Sequence, residues 1–204
     1  MTDGVLDPER IRARLRQLGD EPRASWRGSE DFPVEELTDA SVLGPLTEID
    51  GEFYLLFTHR SDELDNHSSE VSFPGGRPEE EDRDRLETAL REAEEEVGLA
   101  PEDVEVYGAL VELPTVTGFR MRAYVGEFDQ PYELDDSSPE IQEIFLAPLS
   151  HLADPAHHRI EQREYGGRTF PVHFYEYGDQ TIWGATGFLL YTLLDYLELE
   201  RDDE

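Results

Sequence analysis

The sequence contains no cysteine and no lysine, although it is 204 residues long. Without cysteine the chain can form no disulfide and can offer no thiolate to zinc. The six histidines include no closely spaced metal-binding pair such as HExxH. Any metal bound by this protein is therefore expected to have oxygen ligands.

Long hydrophobic stretches are also missing. The longest apolar run lies near residues 188–194 and is far too short to cross a bilayer. The first ten residues, MTDGVLDPER, lack the basic and apolar character of a secretory leader. These features predict a cytoplasmic protein with no membrane partner. The sequence has no repeat and no long linker, which predicts one domain over residues 36–200, with an N-terminal helix and connector (residues 1–35) packed on it.

Basic residues are scarce. The chain has 17 arginines against 49 acidic residues, and its net charge is −32. Such a surface repels itself in dilute buffer, because the screening length is about 10 Å at 0.1 M salt and falls to about 3 Å only near 1 M. We therefore expect a protein from a halophile. A disordered acidic chain is not expected, since 37% of the residues are hydrophobic. No basic stripe is present to meet nucleic acid.

One segment combines an acidic face with an apolar stripe. Glu92, Glu95 and Glu96 stand at i, i+3 and i+4, which places three carboxylates on one face of a predicted helix, a layout suited to divalent cations. The opposite stripe consists of Leu86, Ala89, Leu90, Ala93 and Val97. Upstream, Gly75-Gly76 can bring bare backbone close to a ligand. Because acidic residues are abundant throughout, a solvated charged face is the alternative interpretation.

These residues resemble the box of the Nudix hydrolases, Gly-x5-Glu-x7-Arg-Glu-U-x-Glu-Glu-x-Gly-U, in which U is aliphatic. The second half of the box matches at Arg91–Leu99. In the first half, strict spacing places Arg77 at the glycine and Arg83 at the first glutamate, so Gly76 lies one residue early and the nearest acid is Asp82. This expanded form with Asp is usual in the coenzyme A pyrophosphatase-like branch of the family.

The upstream segment Leu55–Gly76, LLFTHRSDELDNHSSEVSFPGG, also resembles that branch. It departs at Asp65, where a basic or polar residue is usual, and at Ser69, which replaces a glycine. The downstream segments LPTVTGF, PEIQEIFLAPLSHLADPAHH and IWGATGFLL resemble the branch as well. The resemblance thus covers about residues 40–195.

The resemblance implies an α/β fold of the Nudix type, an α/β/α sandwich with a mixed β-sheet. It implies a site for Mg²⁺ or Mn²⁺ formed by Gly76, Glu92, Glu95 and Glu96, with Arg91 orienting the carboxylates. The family takes its general base either from the box or from a later loop, which leaves three candidates open. These are Glu95, Glu140 and Glu143.

Two further residues are candidate substrate contacts, Arg60 and His67. Each has a structural alternative, because Arg60 can pair with surface carboxylates and His67 can cap a loop. The implied reaction is metal-dependent cleavage of the diphosphate of coenzyme A or a derivative to 4′-phosphopantetheine and 3′,5′-ADP. The alternatives are a Nudix enzyme for another substrate such as ADP-ribose, and a non-catalytic module that binds nucleotide or a cation. A homodimer is left open.

Periodicity and turn signals predict the secondary structure. Helices are expected near Pro8–Leu18 and Ala185–Leu199, besides the acidic helix. Strands are expected at Ala40–Pro45, Glu52–His59, Val104–Glu112, Phe119–Phe128 and Thr169–Tyr177. The short run Ile141–Phe145 fits either a strand or a helix.

Overall fold

The computed structural model describes residues 7–22, 24–25, 37–61, 70–135 and 137–199. The helices in these ranges are α1 (Pro8–Leu15), α2 (Arg85–Val97), α3 (Leu149–Leu152) and α4 (Gly184–Tyr196). The first six strands are β1 (Ala24–Ser25), β2 (Thr38–Ile49), β3 (Glu52–Arg60), β4 (Val71–Ser72), β5 (Gly75–Gly76) and β6 (Val104–Pro114). They are followed by β7 (Phe119–Phe128), β8 (Ile141–Pro148), β9 (His158–Tyr165), β10 (Arg168–Tyr177) and β11 (Gln180–Ile182).

The main sheet is mixed. Its strands lie in the order β1-β6-β7-β2-β3-β4, with β5 paired to β2 and β8 paired to β3. The pairs β2–β7 and β1–β6 are parallel and the others are antiparallel. The β2–β3 hairpin turns at Asp50 and Gly51, both of which have positive φ, as a tight hairpin turn requires. A smaller antiparallel sheet has the order β11-β10-β9.

Apolar side chains fill both faces of the main sheet. Adjacent residues of a strand point to opposite faces, and on β3 both Leu55 and Leu56 are buried. Leu56 belongs to the core cluster that includes Ala89 and Ala93 of α2. Leu55 belongs to the cluster that includes the leucines of α4 and Ile11 of α1. The sheet is therefore covered by α2 on one face and by α1 and α4 on the other, which confirms the predicted α/β layering.

Helix α1 is part of this core. Ile11 and Leu15 are buried, Arg14 Nε donates to the Tyr196 carbonyl at 2.9 Å and Tyr196 Oη donates to the Arg14 carbonyl at 2.7 Å. The helix predicted in the N-terminal segment is confirmed and packs on the domain. The domain boundary at residues 35–36 falls among residues that are not described, and it stays a prediction.

Most of the predicted elements are confirmed, with some shifts at their ends. The strand Phe119–Phe128 has the predicted bounds, and the run that begins at Ile141 is a strand. Strand β9 is not foreseen, because HRIEQREY alternates charged residues without a clear apolar period. In the described ranges, no helix is both long enough and apolar enough to cross a membrane.

Candidate active site

Helix α2 is fixed at both ends by its own sequence. The Asp84 carboxylate accepts hydrogen bonds from the backbone N–H groups of Leu86 and Glu87 at 3.0 and 2.9 Å, which satisfies two free donors of the first turn. At the other end Gly98 adopts φ 70°, the left-handed conformation that terminates helices. With its apolar stripe packed on the sheet, the helix turns Glu92 and Glu96 toward β5, and Glu96 also toward Arg60 at the end of β3.

Glu96 is a buried carboxylate. Its side chain is 4% exposed, its Oε2 accepts from the Gly75 N–H at 3.1 Å, and its Oε1 lies 3.3 Å from Arg60 Nη1. Burial raises the pKa of Glu96 to about 8, against the opposing effects of Arg60 and the Gly75 N–H and with smaller contributions from other glutamates. Arg60 and the Gly75 N–H therefore do not fully compensate the Glu96 carboxylate for its loss of hydration.

Glu92 lies against the glycine pair. A Cβ built on Gly76 would overlap the Glu92 carboxylate, which would then have to move aside, so glycine allows this close approach of backbone to side chain. Burial raises the pKa of Glu92, while Arg91, whose Nη2 is 3.1 Å from Glu92 Oε1, lowers it. The structure thus brings Gly76, Glu92 and Glu96 to one place.

Arg91 joins the loop to the helix. Its Nε lies 3.1 Å from Asp82 Oδ1 and its Nη2 lies 3.2 Å from Asp82 Oδ2, a two-pronged contact. Nη2 also donates to the Arg77 carbonyl at 2.9 Å, and Nη1 donates to Glu95 Oε2 at 3.1 Å. These are the contacts of a residue that orients carboxylates, and the role of Arg91 in turnover stays a prediction.

Sequence reasoning left Asp82 out of the site. The carboxyl is 4% exposed, and the hydrogen bonds from Arg91 hold its pKa at about 2. Thr88 Oγ1 also donates to Asp82 Oδ2 at 2.9 Å. The signal was present in the sequence, since Asp82 is the acid nearest to the first glutamate position of the box.

The donor set fits a hard divalent cation. Carboxylate and carbonyl oxygens are the ligands that Mg²⁺ and Mn²⁺ prefer, and the buried charge of Glu96 is undercompensated. Among the described residues, however, no three acidic or histidine side chains already converge as a metal-binding group. Glu92 and Glu95 pair with Arg91, and Glu95 is 58% exposed. The predicted ligand set therefore requires these carboxylates to move, and it stays a prediction.

The two downstream base candidates lie on different sides of the sheet. Glu140 Oε2 is 3.1 Å from Arg60 Nη2, so it shares an arginine with Glu96. Glu143 lies opposite His59 in the β3–β8 ladder and accepts from Gln180 Nε2 of β11 at 2.9 Å. This placement favours Glu140 as the base, although the role itself stays a prediction.

Of the two candidate substrate contacts, Arg60 lies among the described residues and His67 does not. Both Nη groups of Arg60 already face carboxylates, those of Glu96 and Glu140. Arg60 is therefore placed to position these carboxylates, and its contact with substrate stays a prediction. His67 lies outside the described residues.

Comparison with known proteins gives consistent matches. The family profile of the NUDIX domain matches residues 37–166. The peroxisomal coenzyme A diphosphatase NUDT7 of Mus musculus is 38% identical over 177 residues, which cover 87% of this chain and 71% of that protein. The mitochondrial coenzyme A diphosphatase NUDT8 of Homo sapiens is 37% identical over 157 residues, covering 74% of this chain and 65% of that protein.

A solved structure shares the fold. The MutT/nudix family protein from Enterococcus faecalis matches with a TM-score of 0.54 at 13% identity, covering 82% of this chain and 64% of that chain. The family match, together with the mixed sheet flanked by helices, confirms the predicted fold class.

Proposed function

This chain belongs to the Nudix hydrolase family, and from that premise we propose that it hydrolyses the diphosphate of coenzyme A or a coenzyme A derivative. The products would be 4′-phosphopantetheine and 3′,5′-ADP. The observation that carries the proposal is the 38% identity to a coenzyme A diphosphatase over 87% of this chain. It is supported by the expanded box with Asp82, which in the structure holds Arg91.

The site geometry supports a metal-assisted reaction. Nudix hydrolases generally use divalent metal ions, and for this chain we propose Mg²⁺ or Mn²⁺ held by the Gly76 carbonyl, Glu92, Glu95 and Glu96. Such an ion, when bound, neutralises diphosphate charge and lowers the pKa of water. Without it, the polyanionic substrate would be repelled by these glutamates.

The remaining steps fall to other residues of this chain. Arg91 holds Glu92 and Glu95 in place through contacts of 3.1 Å to each. Glu140 would accept the proton of the attacking water, because it lies beside Arg60 at the edge of the same site. Arg60, which contacts both Glu140 and Glu96, would offset the repulsion between them while both are charged.

Two alternative functions differ from this proposal in substrate or in turnover. A Nudix enzyme that cleaves another diphosphate, such as ADP-ribose, would use the same glutamates and differ only in the groups that contact the rest of the substrate. A non-catalytic module would bind nucleotide or cation without turnover. The presence of Glu92, Glu95 and Glu96 disfavours that second alternative.

The deciding experiment is a substrate panel with product identification. Coenzyme A, an acyl-coenzyme A, ADP-ribose, NADH and a diadenosine polyphosphate are each incubated with the purified protein and divalent cation. Cleavage of coenzyme A to 4′-phosphopantetheine and 3′,5′-ADP at the highest kcat/KM supports the proposal. A higher kcat/KM for ADP-ribose supports the first alternative, and no turnover of any compound supports the binding module. Removal of the metal by chelation should abolish the activity.

The cellular setting is also a proposal. The net charge of −32 and the lack of lysine support a halophilic origin and a cytoplasmic location. We expect small-molecule substrates and neither nucleic acid nor membrane as partners. Measurement of the solution mass would decide between a monomer and a homodimer.

A further inference from the structure

Arg77 directly follows the glycine pair of the site. Its backbone is fixed, because its carbonyl accepts a hydrogen bond from Arg91 Nη2 at 2.9 Å. Its side chain is exposed, and the guanidinium carbon lies over the ring of Phe119, 5.1 Å from the ring centroid. The position of this cation is therefore defined by an aromatic ring.

Arg77 stands out among the described arginines of the site because no described acid pairs with it. Arginines elsewhere in the described ranges form ion pairs, as Arg12, Arg60, Arg85 and Arg91 do. Arg77 forms no ion pair with any described residue, although three glutamates, residues 79–81, follow closely in the chain. Although the protein has 49 acidic residues, none that the structure describes forms an ion pair with this positive charge beside the site.

A cation over a ring keeps its ability to bind an anion. The ring attracts the guanidinium through its quadrupole and does not neutralise the charge. The N–H groups lie in the guanidinium plane and can donate in pairs to phosphate oxygens. Held in this way, the side chain also loses less conformational freedom on binding.

The direction of the side chain indicates which phosphate it meets. Met121, Ala123 and Val125 of β7 pack in the core on the sheet face opposite α2, and Phe119 shares their face by strand alternation. Glu92 and Glu96 lie on α2, on the other side. Arg77 therefore points away from the glutamates of α2, so a group that it binds would be a part of the substrate more distant than the diphosphate.

Exposed apolar side chains lie in and against the turn that precedes Phe119. Val116, in the turn that precedes Phe119, is 52% exposed and Tyr165 of β9 is 51% exposed. Tyr165 Oη donates to the Val116 carbonyl at 3.0 Å, which ties β9 to the β6–β7 turn. A flat apolar group such as a nucleobase can pack on surface of this kind next to a bound phosphate.

We propose that Arg77, supported by Phe119, binds the 3′-phosphate of the substrate's adenosine end and so sets specificity for coenzyme A over analogues that lack this phosphate. The inference rests on the proposed function. It makes Arg77 a substrate contact in place of Arg60, whose guanidinium already faces Glu96 and Glu140.

The experiment compares coenzyme A with dephospho-coenzyme A, which keeps the diphosphate and lacks only the 3′-phosphate. For Arg77→Ala we expect KM for coenzyme A to rise roughly 10- to 100-fold, the range for loss of charge-assisted hydrogen bonds. The value of kcat and the KM for dephospho-coenzyme A should stay within about threefold. Arg77→Lys, which keeps the charge and loses the paired donors, should lie between native and Arg77→Ala.

Arg83→Ala is the matched control. Arg83 is 84% exposed, lies six positions further along and pairs with Glu87, so its loss removes the same charge without touching the Arg77–Phe119 contact. It should leave the preference for coenzyme A unchanged. An equal effect of Arg83→Ala and Arg77→Ala would mean that general surface charge sets the preference, which overturns the proposal.

A binding measurement separates this inference from the proposed function. Calorimetry with 3′,5′-ADP and 5′-AMP, carried out in chelator, needs no turnover, and only Arg77→Ala should lose the preference for 3′,5′-ADP. Native protein that fails to cleave coenzyme A would refute the proposed function. The role of Arg77 would be refuted if the native protein cleaves coenzyme A and Arg77→Ala keeps the native preference for coenzyme A over dephospho-coenzyme A.

Discussion

The Glu96→Gln variant tests separately how the Glu96 carboxylate affects the stability of the fold and how it affects turnover. Glutamine has the same size, and its amide oxygen can still accept the Gly75 N–H now bound at 3.1 Å. Arg60 keeps its second partner, Glu140, at 3.1 Å, so no cation is left unpaired. The change therefore keeps the side chain neutral at every pH and alters little else.

The stability effect follows from the pKa of Glu96. Burial raises this pKa from 4.5 to about 8, so the carboxyl contributes full stability below pH 4.5 and loses it as the pH rises toward 8. At pH 7 the loss amounts to about 3 kcal/mol, since one pKa unit corresponds to about 1.4 kcal/mol. In chelator, Glu96→Gln should therefore unfold roughly 6 to 12 °C above the native protein at pH 7, because one kcal/mol moves the midpoint by about 2–4 °C at this chain length.

The activity effect has the opposite sign. If Glu96 holds the catalytic metal, its neutral replacement should lower turnover roughly 100-fold or more with saturating Mg²⁺. If the variant is more stable and less active than the native protein, the Glu96 carboxylate is kept for its function although it destabilises the fold. A merely structural carboxylate would give no such pair of results.

The assay is a thermal melt at pH 5, 7 and 8.5 in chelator, paired with steady-state kinetics. Glu94→Gln is the control, because Glu94 is an exposed residue of the same helix and undergoes the same chemical change. The stability difference between Glu96→Gln and native should grow with pH, whereas Glu94→Gln should follow the native protein. Full activity of Glu96→Gln, or a midpoint difference that does not change with pH, would refute the reasoning.

Three further predictions concern the base, the loop and the charge. Glu140→Gln should lower turnover roughly 100- to 10,000-fold with metal affinity nearly intact. Turnover by Glu143→Gln, whose side chain lies on the other face of the sheet, should stay near native. Near-native rates for both variants would assign the general base to Glu95. Asp82→Asn should destabilise the fold by roughly 1–3 kcal/mol at pH 7. This stability difference should shrink as the pH falls from 3.8 toward 2, because the native carboxyl becomes protonated over that range. A stability difference that persists at pH 2 would show that the charge of Asp82 is irrelevant. The thermal midpoint should rise between about 0.1 and 1 M KCl at constant Mg²⁺, as screening weakens repulsion within the net charge of −32; a flat or falling midpoint contradicts the halophilic interpretation.

Local signals explain why helix α2 was predictable. Its apolar stripe, the Asp84 cap and the Gly98 terminator all lie within fifteen residues, and each acts through its neighbours in the chain. The β2–β3 hairpin was predictable for the same reason, since the Asp50-Gly51 turn joins two apolar runs. The family resemblance then supplied the topology, which local periodicity does not determine.

Long-range pairing explains what the sequence left open. Arg60 meets Glu96 and Glu140, which are 36 and 80 positions away, and no local pattern encodes these contacts. The choice between Glu140 and Glu143 depends on which face of β8 meets which neighbour, and the β-bulge at His59/Arg60 adds a shift in register there. The roles assigned to these side chains remain predictions.

The pairing of β5 has a consequence for the mobility of the site. Gly75 and Gly76 pair with Val42 and Ser41 of β2, the strand that also pairs with β3 and β7. Backbone amides in the middle of a sheet exchange with solvent only in the least frequent, most extensive openings of a fold. The glycines that approach Glu92 and Glu96 are thus attached to the part of the protein that opens last. Adjustment to a ligand falls instead to side chains such as Glu92 and Glu95, which can change rotamer while the backbone beneath them stays in place.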